Sequence, residues 1–250
     1  MKPQVYKDPR PAEAFDRFHE RVRTKKPDLM YDLVRVLLTP YLGAVYRTWA
    51  IDTHNVPKTG PAILAPNHFS FLDHFFLAVY LRRKVQFMAK SQLFKWPMQF
   101  VFSHGGVFPV LRGRGDESAF ETARSVLDRD GIVVMYCEGG RSRSGELGEV
   151  RPGIGRLALE SGVKVVPTAI AGSSGVRDWK RLKFPKVTVQ YGDPIQFERI
   201  TSPSRDQAQS ASEAVFSEVK SIYYGLQRTG RREAVKAARA ARRGAGATTP

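Results

Sequence analysis

From residue 28 to 45 the apolar positions Leu29, Leu33, Val36, Leu37, Tyr41, Ala44 and Val45 recur at helical spacing. Asp28, Asp32, Arg35 and Thr39 form a narrow polar stripe beside them, and Pro40 predicts a kink or a split into two short helices. From residue 61 the period changes. Short apolar runs at 61–65, 85–89, 106–110, 131–136, 163–170 and 186–191 read as strands. Helical patterns lie at 70–82, 117–129 and 153–161, and a longer amphipathic one at 205–228 carries Ala208, Ala211, Val215, Val219, Ile222 and Leu226 on one face. Strand–helix alternation predicts a single α/β domain with a mostly parallel or mixed sheet flanked by helices, preceded by an N-terminal amphipathic helix pair.

The flanks differ in kind from this middle. Residues 1–27 mix both charge signs with four prolines and read as a charged arm, with a helix at 12–24. The domain runs from 28 to 228, and the amphipathic helices of 28–50 either pack on it or lie in a bilayer interface with Arg35, Arg47 and Trp49 at headgroup level. Residues 229–250 place Arg231, Arg232, Lys236, Arg239, Arg242 and Arg243 against the single acid Glu233 and read as a basic, disordered tail.

At 250 residues with 42% hydrophobic and 26% charged content, the chain describes a folded globular protein. Forty Lys and Arg against 24 Asp and Glu leave a formal charge of +16, which calls for an anionic partner: nucleic acid, acidic membrane or phosphorylated substrate. A single cysteine, Cys137, excludes an internal disulfide framework. The charged N-terminus lacks the apolar core of a signal peptide. Asp32, Arg35 and Arg47 interrupt 29–51 as a membrane span, and the uncharged run 96–111 is short and broken by prolines and glycines. If this chain meets a membrane, it is expected to lie on it rather than cross it.

The chemistry-bearing stretch is Asn67-His-Phe-Ser-Phe-Leu-Asp73, between a strand pattern and a helix pattern. Ser70 with Asp73 three residues on is a weak capping signal, so Asp73 either caps the helix or meets a ring nitrogen of His68. The second arrangement makes His68 an oriented general base able to take a proton near neutral pH. His68, Arg112 and Glu138 each follow a predicted strand, so in a parallel sheet all three approach one edge.

The spacing from His68 to Asp73 resembles the His-(any four)-Asp motif of the glycerolipid acyltransferases, the lysophosphatidic acid acyltransferase family. Three further blocks follow in that family's order: Gly106-Val-Phe-Pro-Val-Leu-Arg112, Glu138-Gly-Gly-Arg-Ser142 and Val166-Pro-Thr-Ala-Ile170. The resemblance covers roughly residues 28–200. It implies transfer of a fatty acyl group from an acyl thioester, on coenzyme A or acyl carrier protein, to the hydroxyl of a lysophospholipid-like acceptor such as 1-acylglycerol-3-phosphate. His68 is then the base, Asp73 fixes its tautomer, and no acyl-enzyme forms. No metal or cofactor is implied.

Acceptor binding falls by the same resemblance to Gly106, Arg112, Glu138, Gly139, Gly140, Arg141 and Ser142, with Lys90 at a basic position often present in the family. Arg112 and Arg141 suit phosphate because a guanidinium offers paired donors and keeps its charge. The ordinary roles are a solvated basic loop for 141–145 and a surface lysine for Lys90. Departures lie in the third block: Tyr136-Cys137 stand where an aromatic residue and proline are usual, and Gly140 where threonine is usual. In the second block Pro109 and Leu111 stand where an aliphatic and a polar residue are commoner. Cys137 as nucleophile and His68, His74 and Asp73 as metal ligands are the rival chemistries. The rival function is a non-catalytic basic module binding anionic lipid or nucleic acid, although no nucleic-acid motif is present. Expected partners are membrane lipids at a peripheral, anionic, cytoplasmic face of the cell membrane, the thioester donor and acyl carrier protein, and no nucleic acid.

Overall fold

The computed structural model describes residues 8–111, 116–142, 144–176 and 184–247. In chain order these form α1 (Asp16–Thr24), α2 (Leu29–Val45), β1 (Trp49–Ile51), β2 (Ala62–Pro66), α3 (Asp73–Ala78), β3 (Gln86–Lys90), α4 (Met98–His104) and β4 (Val107–Val110). Then follow α5 (Glu117–Asp128), β5 (Ile132–Val134), α6 (Gly153–Ser161), β6 (Lys164–Ala171), β7 (Thr188–Tyr191) and α7 (Arg205–Ala247). Seven strands make one sheet in the order β1-β7-β6-β2-β5-β3-β4. Every pairing is parallel except β6 with β7. The expected α/β fold with a mostly parallel, mixed sheet and N-terminal helices is the one observed.

The sheet is covered on both faces, which explains why its strands read as continuous apolar runs. In β2, Ala62 and Leu64 enter one cluster with Phe76 and Leu77 of α3, Tyr31 and Leu42 of α2, and Val134 and Val166. Ile63 and Ala65 point the other way, into a cluster with Ala123 and Val126 of α5, Leu157 of α6, and Val215 and Val219 of α7. The N-terminal stretch read as an arm is packed against this body. Its Phe15, Phe18 and Val22 are buried, and Arg10 donates to the carbonyls of Ser91 and Phe94 at 2.7 Å each.

Several elements differ from expectation. Residues 29–45 form one helix through Pro40 rather than two. Pro40 is exposed, as is Val36 one turn before it, so the missing backbone bond lies on the outward side, away from the packed face. Residues 49–51, of which 49 and 50 were assigned to the amphipathic helices, are an edge strand paired with β7. Helix α4 was not foreseen, and α3 spans six residues where 70–82 was expected. The stretch from 229 onward is helical to Ala247, with a break at Gly230 (φ 75°, ψ 167°), rather than a disordered tail.

The orientation of α2 is unusual. Its polar stripe faces the domain: Asp32 pairs with Arg35 at 3.1 Å and with Lys84, Arg35 donates to the carbonyl of Leu81, and Lys84 reaches the carbonyls of Pro27 and Asp28. Leu29, Leu33, Val36, Leu37 and Tyr41 point outward, from 47% to 83% exposed. Trp96, Met98 and Phe100, on and before the neighbouring α4, add exposed apolar surface. A globular helix normally buries such a face.

Candidate active site

Strands β2, β5, β3 and β4 are parallel neighbours, so their C-terminal ends open on one edge of the sheet. His68 follows β2, Lys90 ends β3, and Glu138 follows β5. The predicted convergence of His68 and Glu138 therefore holds. Arg112, expected after β4, lies outside the described residues.

The turn from 67 to 73 is built by side chains. Asp73, wholly buried at the start of α3, accepts three bonds on Oδ2: from the Phe69 and Ser70 backbone N–H groups at 2.7 and 2.8 Å, and from His68 Nδ1 at 2.9 Å. An acceptor already bonded to two backbone N–H groups requires the proton on Nδ1, which leaves Nε2 with the lone pair. Asp73 thus shapes the turn and orients the imidazole together; of the two roles weighed for it, the contact with His68 is present and a cap on α3 is not. Ser70 does not cap α3; its Oγ accepts from Leu72 N–H within the turn. Asn67, also wholly buried, donates to the carbonyl of Ile170 and accepts from its N–H, fixing the turn to β6.

Glu138 occupies a bridging position. Its Oε1 accepts from the backbone N–H of His68 at 2.9 Å and its Oε2 from that of Gly148 at 2.8 Å. Burial raises its pKa while the two N–H donors lower it, and the charge of Asp73 raises it further. A Cβ at Gly148 would stand 2.8 Å from Oε2, so a side chain there would displace the carboxylate from this approach. Both carboxylate oxygens are committed to holding the 138–148 loop against the histidine turn. The Ser142 N–H donating to the His68 carbonyl at 2.8 Å tightens the same joint.

Beside this joint, Gly139 (φ 61°) is exposed and Gly140 half-buried. The exposed Arg141 makes no side-chain hydrogen bond or ion pair with the described residues, and Ser142 Oγ lies 3.0 Å from Ser144 Oγ. Lys90 is half-buried. Gly106 is not brought to this edge. It stands before β4, at the opposite end of the strand, with φ 77° and with Pro27 Cγ 2.5 Å from where a Cβ would sit. It closes the N-terminal segment onto the domain.

The aromatic residue in the third block, Tyr136, stacks on His68 with centroids 3.8 Å apart, and its hydroxyl meets His74 Nδ1 at 2.9 Å. Burial, with the charge of Asp73, pushes the phenol well above its ordinary pKa, so it stays protonated. Sequence reasoning gave Tyr136 no role and considered His74 only as a metal ligand; the aromatic residue kept at the usual aromatic position was the available signal. Cys137 lies in the core under α5 and α6, where burial and neighbouring Glu138 push its thiol up, opposite to the shift that makes a nucleophile.

On the far side of His74 an apolar cavity of about 110 Å³ opens between α2, α3, α4 and β3, lined among others by Phe71, Phe75, Phe87, Val101 and Phe102. The His74 ring also lines it and lies 5.4 Å from that of His68, centroid to centroid. The His68–Asp73 pair thus adjoins an apolar cavity.

The acyltransferase family is matched over residues 50–171. A chloroplastic 1-acyl-sn-glycerol-3-phosphate acyltransferase of Arabidopsis thaliana is 31% identical over 126 residues, covering 49% of this chain and 35% of that protein. The human 1-acyl-sn-glycerol-3-phosphate acyltransferase beta is 29% identical over 162 residues, 60% of this chain and 56% of its own. The chain thus spans well under two thirds of these relatives' lengths. In fold it is similar to the 1-acyl-sn-glycerophosphate acyltransferase PlsC of Thermotoga maritima, with a TM-score of 0.55 and 18% identity over 84% of this chain and 88% of that one. Residues 50–171, which carry His68, Asp73 and Glu138, are the part of the chain that matches the acyltransferase family.

Proposed function

We propose that this protein transfers a fatty acyl group from an acyl thioester, on coenzyme A or acyl carrier protein, to the hydroxyl of a lysophospholipid-like acceptor such as 1-acylglycerol-3-phosphate, in phospholipid synthesis or remodelling. The observation that carries the reading is the His68–Asp73 pair, with Nδ1 fixed and Nε2 left as the base. The acceptor hydroxyl gives its proton to Nε2 as its oxygen attacks the thioester carbonyl. The tetrahedral intermediate then expels the thiolate, which recovers the proton from His68. Asp73 stabilises the imidazolium between these steps. Such base catalysis contributes about 10²–10⁴-fold.

The apolar cavity beside His74 takes the acyl chain, which sets the thioester at the base. Arg141 holds the acceptor's phosphate, with Lys90 as a further cation on that edge and Gly139, Gly140 and Ser142 shaping the loop; Arg112 joins them by the family resemblance alone. Glu138 acts by bracing the loop to the base.

Lipid substrates require access to a membrane. Among the described residues no helix is long and apolar enough to cross one. The outward apolar stripe of α2 supports peripheral attachment, which we assign to the cytoplasmic face. The test is release of free thiol from an acyl thioester on adding 1-acylglycerol-3-phosphate, with the product identified by mass spectrometry. Absence of acceptor-dependent release across a panel of lysophospholipids would overturn the reading.

A further inference from the structure

We propose that the last helical stretch, 231–247, is a docking surface for an anionic lipid bilayer, with Arg232, Lys236, Arg239 and Arg243 set against the headgroups. The stretch is fastened, so its exposed face has a fixed direction. Arg231 is the fastener: it donates to Thr188 Oγ1 and the Val187 carbonyl at 2.8 Å each, and to the Arg47 carbonyl at 2.5 Å. Ala234, Val235 and Ala238 then pack on a cluster containing Ile51, Phe69, Tyr223 and Leu226.

With that side held down, residues 232, 236, 239 and 243 fall within an arc of about 60° at 3.6 residues per turn. All four are exposed. The acid in this stretch, Glu233, is exposed and lies 3.9 Å from Lys236, too loose to neutralise the stripe.

A solvated helix face is the ordinary explanation of exposed charge, but such faces usually mix signs. Position along the surface also matters. Arg231 is bonded to the backbone of Arg47, two residues beyond the end of α2 and two before Trp49, which is 47% exposed. From α2 onward the surface therefore passes from an apolar stripe, to an arginine and tryptophan, to a basic stripe. This is the sequence of chemistries met on leaving a bilayer: acyl chains, interface, anionic headgroups. Residues 231–247 contain no aromatic side chain on which a nucleic-acid base would stack. The choice of a bilayer over another polyanion rests on the peripheral reading of α2.

The experiment is sedimentation of the full chain with phosphatidylcholine vesicles, with and without phosphatidylglycerol, at low and high salt. The variant Arg232→Gln/Lys236→Gln/Arg239→Gln/Arg243→Gln keeps Arg231 and the alanine face. It should bind anionic vesicles at least about tenfold more weakly at low salt, since each cation near such a surface adds to the attraction. At high salt the difference should shrink through screening. Binding to neutral vesicles, the thermal melt and thiol release from detergent-dispersed substrate should be unchanged. Undiminished binding to anionic vesicles, an equal loss on neutral ones, or wild-type preference for duplex DNA over vesicles through these four side chains would overturn the proposal. The variant Leu33→Gln/Leu37→Gln is the separate arm for α2. If it binds neutral vesicles like wild type while the basic variant loses anionic binding, the reading of α2 fails and the basic face stands.

Discussion

The ring of Tyr136 lies against that of His68, with centroids 3.8 Å apart and planes 21° from parallel. The stack restricts the imidazole on its face, while Asp73 fixes it at Nδ1. The hydroxyl of Tyr136 continues to His74, on the wall of the apolar cavity. Stacking and hydrogen bonding are separable by mutation. Tyr136→Phe should keep most of kcat, because the stack survives. Tyr136→Leu should lower kcat by roughly tenfold or more with little change in donor KM, as expected for a misoriented base. Equal kinetics for the two variants would show that the stack does not position His68.

Glu138 binds two backbone N–H groups with two oxygens, a pattern glutamine does not reproduce. In Glu138→Gln one N–H faces an amide NH₂ in place of an acceptor, at a cost of about 1–3 kcal/mol. The expected outcome is a lower melting temperature and a fall in kcat, with acceptor KM changed less than kcat. A large rise in acceptor KM with an unchanged melt would assign Glu138 to substrate instead.

Arg141 is exposed on the rim without a side-chain bond to the described residues, so truncation should leave the fold intact. Arg141→Ala should raise KM for a phosphate-bearing acceptor about tenfold or more and leave donor KM nearly unchanged. Arg141→Lys should recover this only in part, since lysine lacks the paired donors. Steady-state kinetics with each substrate varied in turn decides this.

Stability carries its own pH dependence through His19, buried in α1 with Nδ1 2.8 Å from Thr122 Oγ1. Burial lowers its pKa from the ordinary 6.5, so the unfolded chain binds the proton more readily. Stability from this group is therefore complete above pH 6.5 and is lost as pH falls from there through the depressed folded value. His19→Gln should flatten the melting temperature over that acidic range relative to wild type. An unchanged slope would mean that another group governs it.

Much of the fold was legible because both sheet faces are covered and the buried strands read as plain apolar runs. What escaped was either too short or decided by distant contacts. Three residues of β1 show no alternation, and α4, Met-Gln-Phe-Val-Phe-Ser-His, carries too little polar contrast to reveal a period. The order of the 231–247 stretch depends on Arg231 reaching Thr188 and Arg47, invisible to a local reading of a basic, alanine-rich tail. At the site, the His68–Asp73 spacing announced the pair, and the strand ends announced the convergence with Glu138. Glu138's bridging role was hidden because it requires Gly148, ten residues on, to come within 2.8 Å. Gly106 shows the opposite error: a glycine in a motif block whose positive φ and contact with Pro27 serve the fold.

The central claim is that His68 is the base and Asp73 its orienting partner. His68 sits on a turn whose hydrogen bonds also come from Asn67, Asp73 and Glu138, so His68→Ala should stay folded. Asp73→Asn disturbs the Nδ1 partner and is expected to cost activity about a hundredfold. The most direct measurement is acceptor-dependent thiol release by purified His68→Ala beside wild type, with thermal melts of both. The account predicts a wild-type-like melt and transfer reduced at least about a hundredfold. Full transfer by folded His68→Ala protein would contradict it.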